Sequence, residues 1–332
     1  MSLKRLCRRL MAAGLCLGAG LAFSAQAAGA NDAYPDRPIS IVVPFPAGGT
    51  TDSLARLLGN KIAEEWKQTV VVENRPGAAG MIGATQVARA KPDGYTFMIT
   101  ITSLIHAPSL YKNVQYDPVK DFVPVALLTR TAPTLVVRSD MPVSNVKEFV
   151  ELVRKDPTKY GTLGNYGTGS LAHIYASLLD RQAKLGVTHI PYKGAAPLTI
   201  DILGGQVAAG LSDYNTVLPH VKSGRLKVLA VTGADRVPML PDAPSMTELG
   251  FEDFEAYGWL GMFAPTGTPP AIVAKAATTV EGILKRADVR EALLGLGIDA
   301  EQNSTQPEFE KMVARDFQTW AKLIKDANIQ LD

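Results

Sequence analysis

Four times in this sequence a short run rich in β-branched residues ends in a glycine-bearing turn and gives way to an amphipathic helical stretch. Strands separated by helices in this way demand α/β layers around a largely parallel sheet, because each helix must bury its apolar face against the strands. The first set reads as strand Ile39 to Phe45, helix Thr51 to Trp66, strand Thr69 to Glu73, helix Met81 to Ala90 and strand Tyr95 to Thr100. In its first helix, Leu54, Leu57, Leu58 and Ile62 fall on one face. The pattern restarts with strand Tyr160 to Gly164, helix Ser170 to Gln182, strand Val187 to Tyr192, helix Ala195 to Leu203 and strand Gln206 to Leu211. Two sets predict two sheets. Strands Phe122 to Leu128, Leu135 to Val137 and Tyr257 to Phe263, with a long closing helix from Pro307 to Ala327, fit a chain that crosses twice between domains. Domain 1 then holds 28–128 plus 254–332, and domain 2 holds 129–253.

Ahead of this pattern, Lys4, Arg5, Arg8 and Arg9 precede an apolar run from Leu10 to Phe23 and the triplet Ala25-Gln26-Ala27. This is the pattern of a cleavable secretory signal peptide over residues 1–27. The apolar run is shorter than the roughly 20 residues that span a bilayer, and nothing in residues 28–332 is longer. Cys7 and Cys16 both fall in that segment, so residues 28–332 hold no thiol, no disulfide and no cysteine metal site. Cleavage would leave 30 basic against 32 acidic residues, turning a net charge of +2 into −2. That balance gives no reason to expect nucleic acid or an anionic membrane as partner.

Chemistry concentrates in the turns. Phe45, Pro46, Ala47, Gly48, Gly49, Thr50 and Asp52 close a strand and open a helix. Two readings stand: a cradle of outward N–H groups at a helix N-terminus, suited to an anion, or a routine turn with Asp52 favouring the first helical turn. Tyr166, Gly167, Thr168, Gly169 and Ser170 repeat the design with an aromatic wall. Residues 167–172 also match G-x-G-x-x-A, but no Asp or Glu stands about 20 residues on to take a ribose, which argues against a nicotinamide site. Arg75, beside a third glycine turn, suits either a carboxylate or a loop brace. Lys193, Gly194 and Ala195 open another helix, and Asp213 ends a strand, where it serves as a helix cap or as counter-charge to an ammonium group.

The histidines at 106, 173, 189 and 220 show no metal spacing. His173 lies one helical turn after Ser170, which leaves a secreted hydrolase with a Ser–His pair as a minor reading; a capping serine and a partly buried histidine account for the pair more simply, since no orienting acid is evident. Neither a metal nor a cofactor is expected.

Six segments, Pro44 to Gly49, Glu73 to Gly80, Lys91 to Thr96, Pro191 to Gly194, Leu229 to Gly233 and Gly258 to Gly261, together resemble the tripartite tricarboxylate transporter substrate-binding family, also called the Bordetella uptake gene (TctC or Bug) family. The resemblance implies a type II periplasmic binding protein of the Venus-flytrap kind, with two α/β domains around a ligand cleft. It implies a periplasmic monomer that captures a small carboxylate (a dicarboxylate, tricarboxylate, amino acid or aromatic acid) for integral membrane transporter subunits. Signalling to a membrane sensor is the alternative. The matching loops, Phe45 to Asp52 and Tyr166 to Ser170, are expected to hold one carboxylate. His173 and the turn at Lys193 join the expected site, and Asp213 lies near the variable end of the ligand.

Overall fold

The computed structural model describes residues 34–300 and 304–331; the expected signal peptide lies outside them. The chain divides into an N-terminal segment ending at Arg37 and a compact unit beginning at Pro38, to which both sheets belong.

The first sheet starts where Ile41, Val42 and Val43 are fully buried. Strand β1 (Ile39–Val43) pairs in parallel with β2 (Val70–Asn74) on one side and β3 (Thr96–Ile101) on the other. Helix α1 (Thr50–Trp66) covers it with Leu54, Ala55, Leu58 and Ile62, and ends at Lys67 in the left-handed conformation. Helices α2 (Met81–Ala88) and α3 (Ser103–Leu110) follow β2 and β3. Strand β4 (Phe122–Thr131) forms the far edge.

A single residue, Ala132, separates β4 from β5 (Pro133–Arg138), the first strand of a second sheet. Helices α4 (Val146–Lys155) and α5 (Pro157–Tyr160) lead to β6 (Thr162–Asn165), α6 (Leu171–Ala183), β7 (Thr188–Pro191), α7 (Ala195–Leu203), β8 (Ala209–Asp213), α8 (Tyr214–Lys222) and β9 (Leu226–Val231). The chain returns to the first sheet as β10 (Gly258–Pro265), followed by α9 (Pro270–Lys285), α10 (Ala287–Gly295) and α11 (Gln306–Asp326).

The two sheets share one plan, β2-β1-β3-β10-β4 and β7-β6-β8-β5-β9. In each the odd strand, β10 or β5, runs antiparallel to both neighbours and is the first strand laid down after a crossing. The sheets are therefore mixed, where alternation alone suggested largely parallel ones. Strand β4 stays paired with β10 as far as Thr131↔Gly258, beyond the exit expected at Leu128.

The return crossing is held on two sides. Tyr175 of α6 stacks on Phe254 at 5.0 Å between ring centroids, meets Trp320 of α11 edge-on at 5.4 Å, and donates its hydroxyl to the Ala256 carbonyl. Gly258 has no room for a side chain: a Cβ there would strike Thr131 Oγ1 and Leu171 Cδ2. Thr102 and Trp259 then lock β10 beside α3, with the Thr102 hydroxyl accepting the Trp259 N–H at 2.7 Å and its own N–H donating to the Trp259 carbonyl at 3.1 Å.

Candidate ligand-binding cleft

Because both sheets present the carboxyl ends of their parallel strands to the same space, the helices that follow those strands begin there. A cleft of ≈ 760 Å³ lies between them, lined by the first residues of α1, α3, α6, α7 and α8. Each helix N-terminus carries a partial positive charge, worth about 0.3–1 kcal/mol to a nearby anion when exposed.

The first glycine turn is built from the inside. Gly48 adopts a φ of +83°, a left-handed conformation that a side chain disfavours. Its N–H points inward and donates to the Asp52 carboxylate at 2.8 Å, so it is not available to a ligand. Asp52 also accepts from Asn74 Nδ2 at 2.9 Å and pairs with Arg56, while Asn74 reaches the Phe45 carbonyl at 3.2 Å. Burial pushes the Asp52 carboxyl up, but hydrogen bonds from Arg56, Gly48 and Asn74 outweigh it and hold it below the usual carboxylate range. The expectation that Asp52 faces the cleft is corrected: it lies behind the turn as a brace. Phe45, Pro46, Ala47, Gly48, Gly49 and Thr50 line the cleft, and the N–H groups of Gly49, Thr50 and Thr51 find no acceptor among the described residues.

The second turn is placed differently. Tyr166 and Ser170 line the cleft, but Gly167, Thr168, Gly169 and His173 do not. Gly167 donates to Asn165 Oδ1 at 3.0 Å, Gly169 to His173 Nδ1 at 3.2 Å, and Ser170 to the Gly167 carbonyl at 3.1 Å. These three amides are spent within the protein, so the turn offers a ligand side chains rather than an amide cradle. Ser170 Oγ accepts the backbone N–H of His173 at 3.2 Å as a helix cap, while the ring takes Gly169. Serine and imidazole are thus not arranged as nucleophile and base. Burial and the nearby His189 lower the His173 pKa.

From the second sheet, Lys193, Gly194 and Ala195 reach the cleft, with Gly194 fixed by donation to the Tyr166 carbonyl at 3.1 Å. Asp213 lines it too. Asp213 occupies the N-cap position of α8 but makes no side-chain cap bond, contrary to the capping alternative read from sequence. Burial pushes its carboxyl up to about 6. Arg75 braces its loop by pairing with Glu73 at 2.8 Å, away from the cleft.

Several lining residues lie outside the glycine turns singled out from the sequence. His106 of α3 lies on the floor, 1% exposed, with neither ring nitrogen hydrogen-bonded and the Trp320 ring at 4.7 Å. Burial lowers its pKa to about 3, which leaves the imidazole neutral. Thr102 arrives from the N-cap of α3, Thr129, Thr131 and Trp259 from β4 and β10 at the crossings, and Asn215 and Thr216 from the start of α8. Among the described residues no group of three or more His, Cys, Asp or Glu side chains is placed to hold a metal, and no helix is long and apolar enough to cross a membrane.

A cleft ringed by helix N-termini between two sheets of one plan is the architecture of a binding protein. Residues 54–329 match the family model described as the tripartite tricarboxylate transporter family receptor, TctC. The chain belongs to the TctC family. It is 33% identical over 302 residues to the protein BugT of Bordetella pertussis, covering 90% of this chain and 92% of that one. Among solved structures it is similar to the periplasmic binding protein BugD, with 39% identity and a TM-score of 0.77, covering 90% of this chain and all 100% of that one. It is also similar to MatC from Rhodopseudomonas palustris with bound malate, at 32% identity and a TM-score of 0.75, covering 88% and 100% of the two chains. TctC-family membership and fold make this a solute-binding protein of the periplasmic type.

Proposed function

We propose that this protein captures a small carboxylate outside the cytoplasm and delivers it to integral membrane subunits of a tripartite tricarboxylate-type transporter, without transforming it. The observation that carries this reading is the first glycine turn, where the N–H groups of Gly49, Thr50 and Thr51 stand unpaired at the start of α1 and on the wall of the cleft. Such a group of amides at a helix N-terminus holds an anion without a cationic side chain. The malate bound in MatC supports a carboxylate as that anion.

The lobes that close on it are the two sheets with their helices, bending at Ala132 and along the return stretch before Gly258. In this reading the exits stand at Ala132 and before Gly258, beside those expected at Leu128 and Phe254. The exported protein acts as a monomer, since the ligand is enclosed by two lobes of one chain.

The thermal midpoint of the purified protein, measured against a panel of mono-, di- and tricarboxylates, amino acids and aromatic acids, tests the reading. A ligand that binds only the folded state adds about 2.7 kcal/mol at a hundredfold excess over its dissociation constant. A shift with one class of acid, and recovery of that acid unchanged, is the expected result. No shift with any member, from protein shown to be free of ligand, sinks the proposal.

A further inference from the structure

We propose that a second cavity, outside the cleft and sharing none of its lining, is an anion site that takes the doubly charged phosphoryl group of inorganic phosphate or a phosphate monoester. It has a volume of ≈ 630 Å³ and lies between α6, β7 and the segment 327–331 that follows α11.

Its charge is out of balance. Arg181 and Lys184 stand on the wall built by α6 and the turn after it, and neither side chain forms an ion pair or hydrogen bond among the described residues. The single carboxylate of the lining, Asp180, is already engaged: Oδ1 accepts the Gly186 N–H at 2.7 Å and Oδ2 lies 3.0 Å from His189 Nε2. Asp326, at the end of α11, feels the Arg181 charge but is bonded to Lys322 at 2.8 Å. Two cations thus repel one another in a partly enclosed space whose lining has no acid to spare, and a dianion relieves that repulsion.

Two imidazoles stand beside them. His173 Nδ1 accepts the Gly169 N–H at 3.2 Å, so the neutral ring carries its proton on Nε2, which donates to nothing among the described residues. The His189 ring lies 6.4 Å away between centroids, its Nδ1 buried without a bond while Asp180 holds Nε2. Burial and then His189 lower the His173 pKa, and an anion in the cavity acts in the opposite direction by favouring the charged ring. The C-terminus of α6 accounts for cations near its last turn, but not for two imidazoles beside them with unbonded nitrogens.

The donors select the anion. An arginine fork grips two oxygens of a phosphoryl group, and a lysine ammonium adds a point charge. The carboxamides of Asn328 and Gln330 offer further donors from the other wall, which is tied to α3 by donation from the Leu331 N–H to the Leu110 carbonyl at 3.1 Å. Donors spread around a roomy space suit a tetrahedral oxyanion, and two full positive charges suit a group that carries nearly two negative ones at neutral pH.

Imidazole nitrogen resonances, followed as sodium phosphate replaces sodium chloride at constant ionic strength and pH, test the site directly. The charged and titratable groups around His173 are Asp180, Arg181 and Lys184 on its own helix and His189 on β7; residues 327–331 carry none. Phosphate should shift the His173 Nε2 signal saturably and move the titration midpoint of the ring to higher pH. The double substitution Arg181→Gln with Lys184→Gln, both on exposed side chains, should weaken phosphate by about tenfold or more with circular dichroism unchanged. Flotation with phosphatidylcholine vesicles containing phosphatidic acid identifies the source: binding that the double substitution abolishes assigns the phosphoryl group to a lipid, and phosphate binding without vesicle binding assigns it to a soluble anion. A His173 signal that stays still at tens of millimolar phosphate, together with no vesicle binding, overturns the site. So does a response that survives the double substitution.

Discussion

The backbone N–H of Gly48 donates to the carboxylate of Asp52 across 2.8 Å, closing a glycine turn from beneath while the amides of the next three residues stay open to the cleft. The turn's shape therefore depends on a residue that lies outside the lining of the cleft. Replacing Asp52 with alanine removes the acceptor for Gly48 and Asn74 together and leaves Arg56 with Asn74 alone. We expect carboxylate affinity to fall about tenfold or more, with a loss of about 1–3 kcal/mol in stability. Calorimetric titration beside scanning calorimetry separates the two effects, and unchanged affinity would refute the role. Because the Asp52 pKa is lowered on folding, its stabilisation is present above the ordinary value of 3.8 and lost as the pH falls through the lowered one.

Asp213 behaves with the opposite sign. Its carboxyl is raised from 3.8 to about 6 by burial, so the folded state resists ionising it. Between those values the folded protein holds more protons than the unfolded one, and stability falls as the pH rises. Asp213→Asn should stabilise the ligand-free protein above pH 6, by up to about 3 kcal/mol on the scale of 1.36 kcal/mol per pKa unit. The advantage should shrink as the pH is lowered toward 4. A midpoint difference that stays constant from pH 4 to 8 contradicts the account.

Gly258 predicts a mechanical effect. Alanine at this position drives a methyl into Thr131 and Leu171, which belong to different lobes. Gly258→Ala should cost about 1–3 kcal/mol through overpacking. Small-angle scattering with saturating ligand should also show a larger radius of gyration than for the unaltered protein. A compact liganded form of normal stability would show that the crossing has more slack than its contacts indicate.

Lys193 is the control. It stands exposed on the edge of the cleft and forms no ion pair among the described residues. Lys193→Ala should weaken capture by less than about 1 kcal/mol, and the loss should fade at high salt as exposed charges are screened. A loss of several kcal/mol, independent of salt, would place the ammonium group directly on the ligand.

Much of the fold was legible because the glycine turns announce where strands hand over to helices, and these turns lie at the cleft. Phe45 to Thr50, Tyr166, Ser170, Lys193 to Ala195 and Asp213 all line it. Orientation was not legible. Sequence marks a glycine turn but not which way its amides point, and Gly48, Gly167 and Gly169 spend theirs on Asp52, Asn165 and His173. Helix α3 escaped because Leu104, Ile105, His106, Ala107 and Leu110 are all buried and Pro108 interrupts the run, so no amphipathic period shows. Thr102, Thr131 and Trp259 meet only when β10 returns to the first sheet, a proximity across more than a hundred residues that local pattern does not encode.

That return bears on how far the chain can be remodelled. Strands β4 and β10 are neighbours, joined in an antiparallel ladder from Pro265↔Phe122 to Gly258↔Thr131. Within the first sheet they are the two arms of one hairpin, and the entire second lobe is its loop. A hairpin keeps its register whatever its loop contains, so the Asp213 side can be remodelled wholesale without disturbing the frame that holds the Gly49–Thr51 turn.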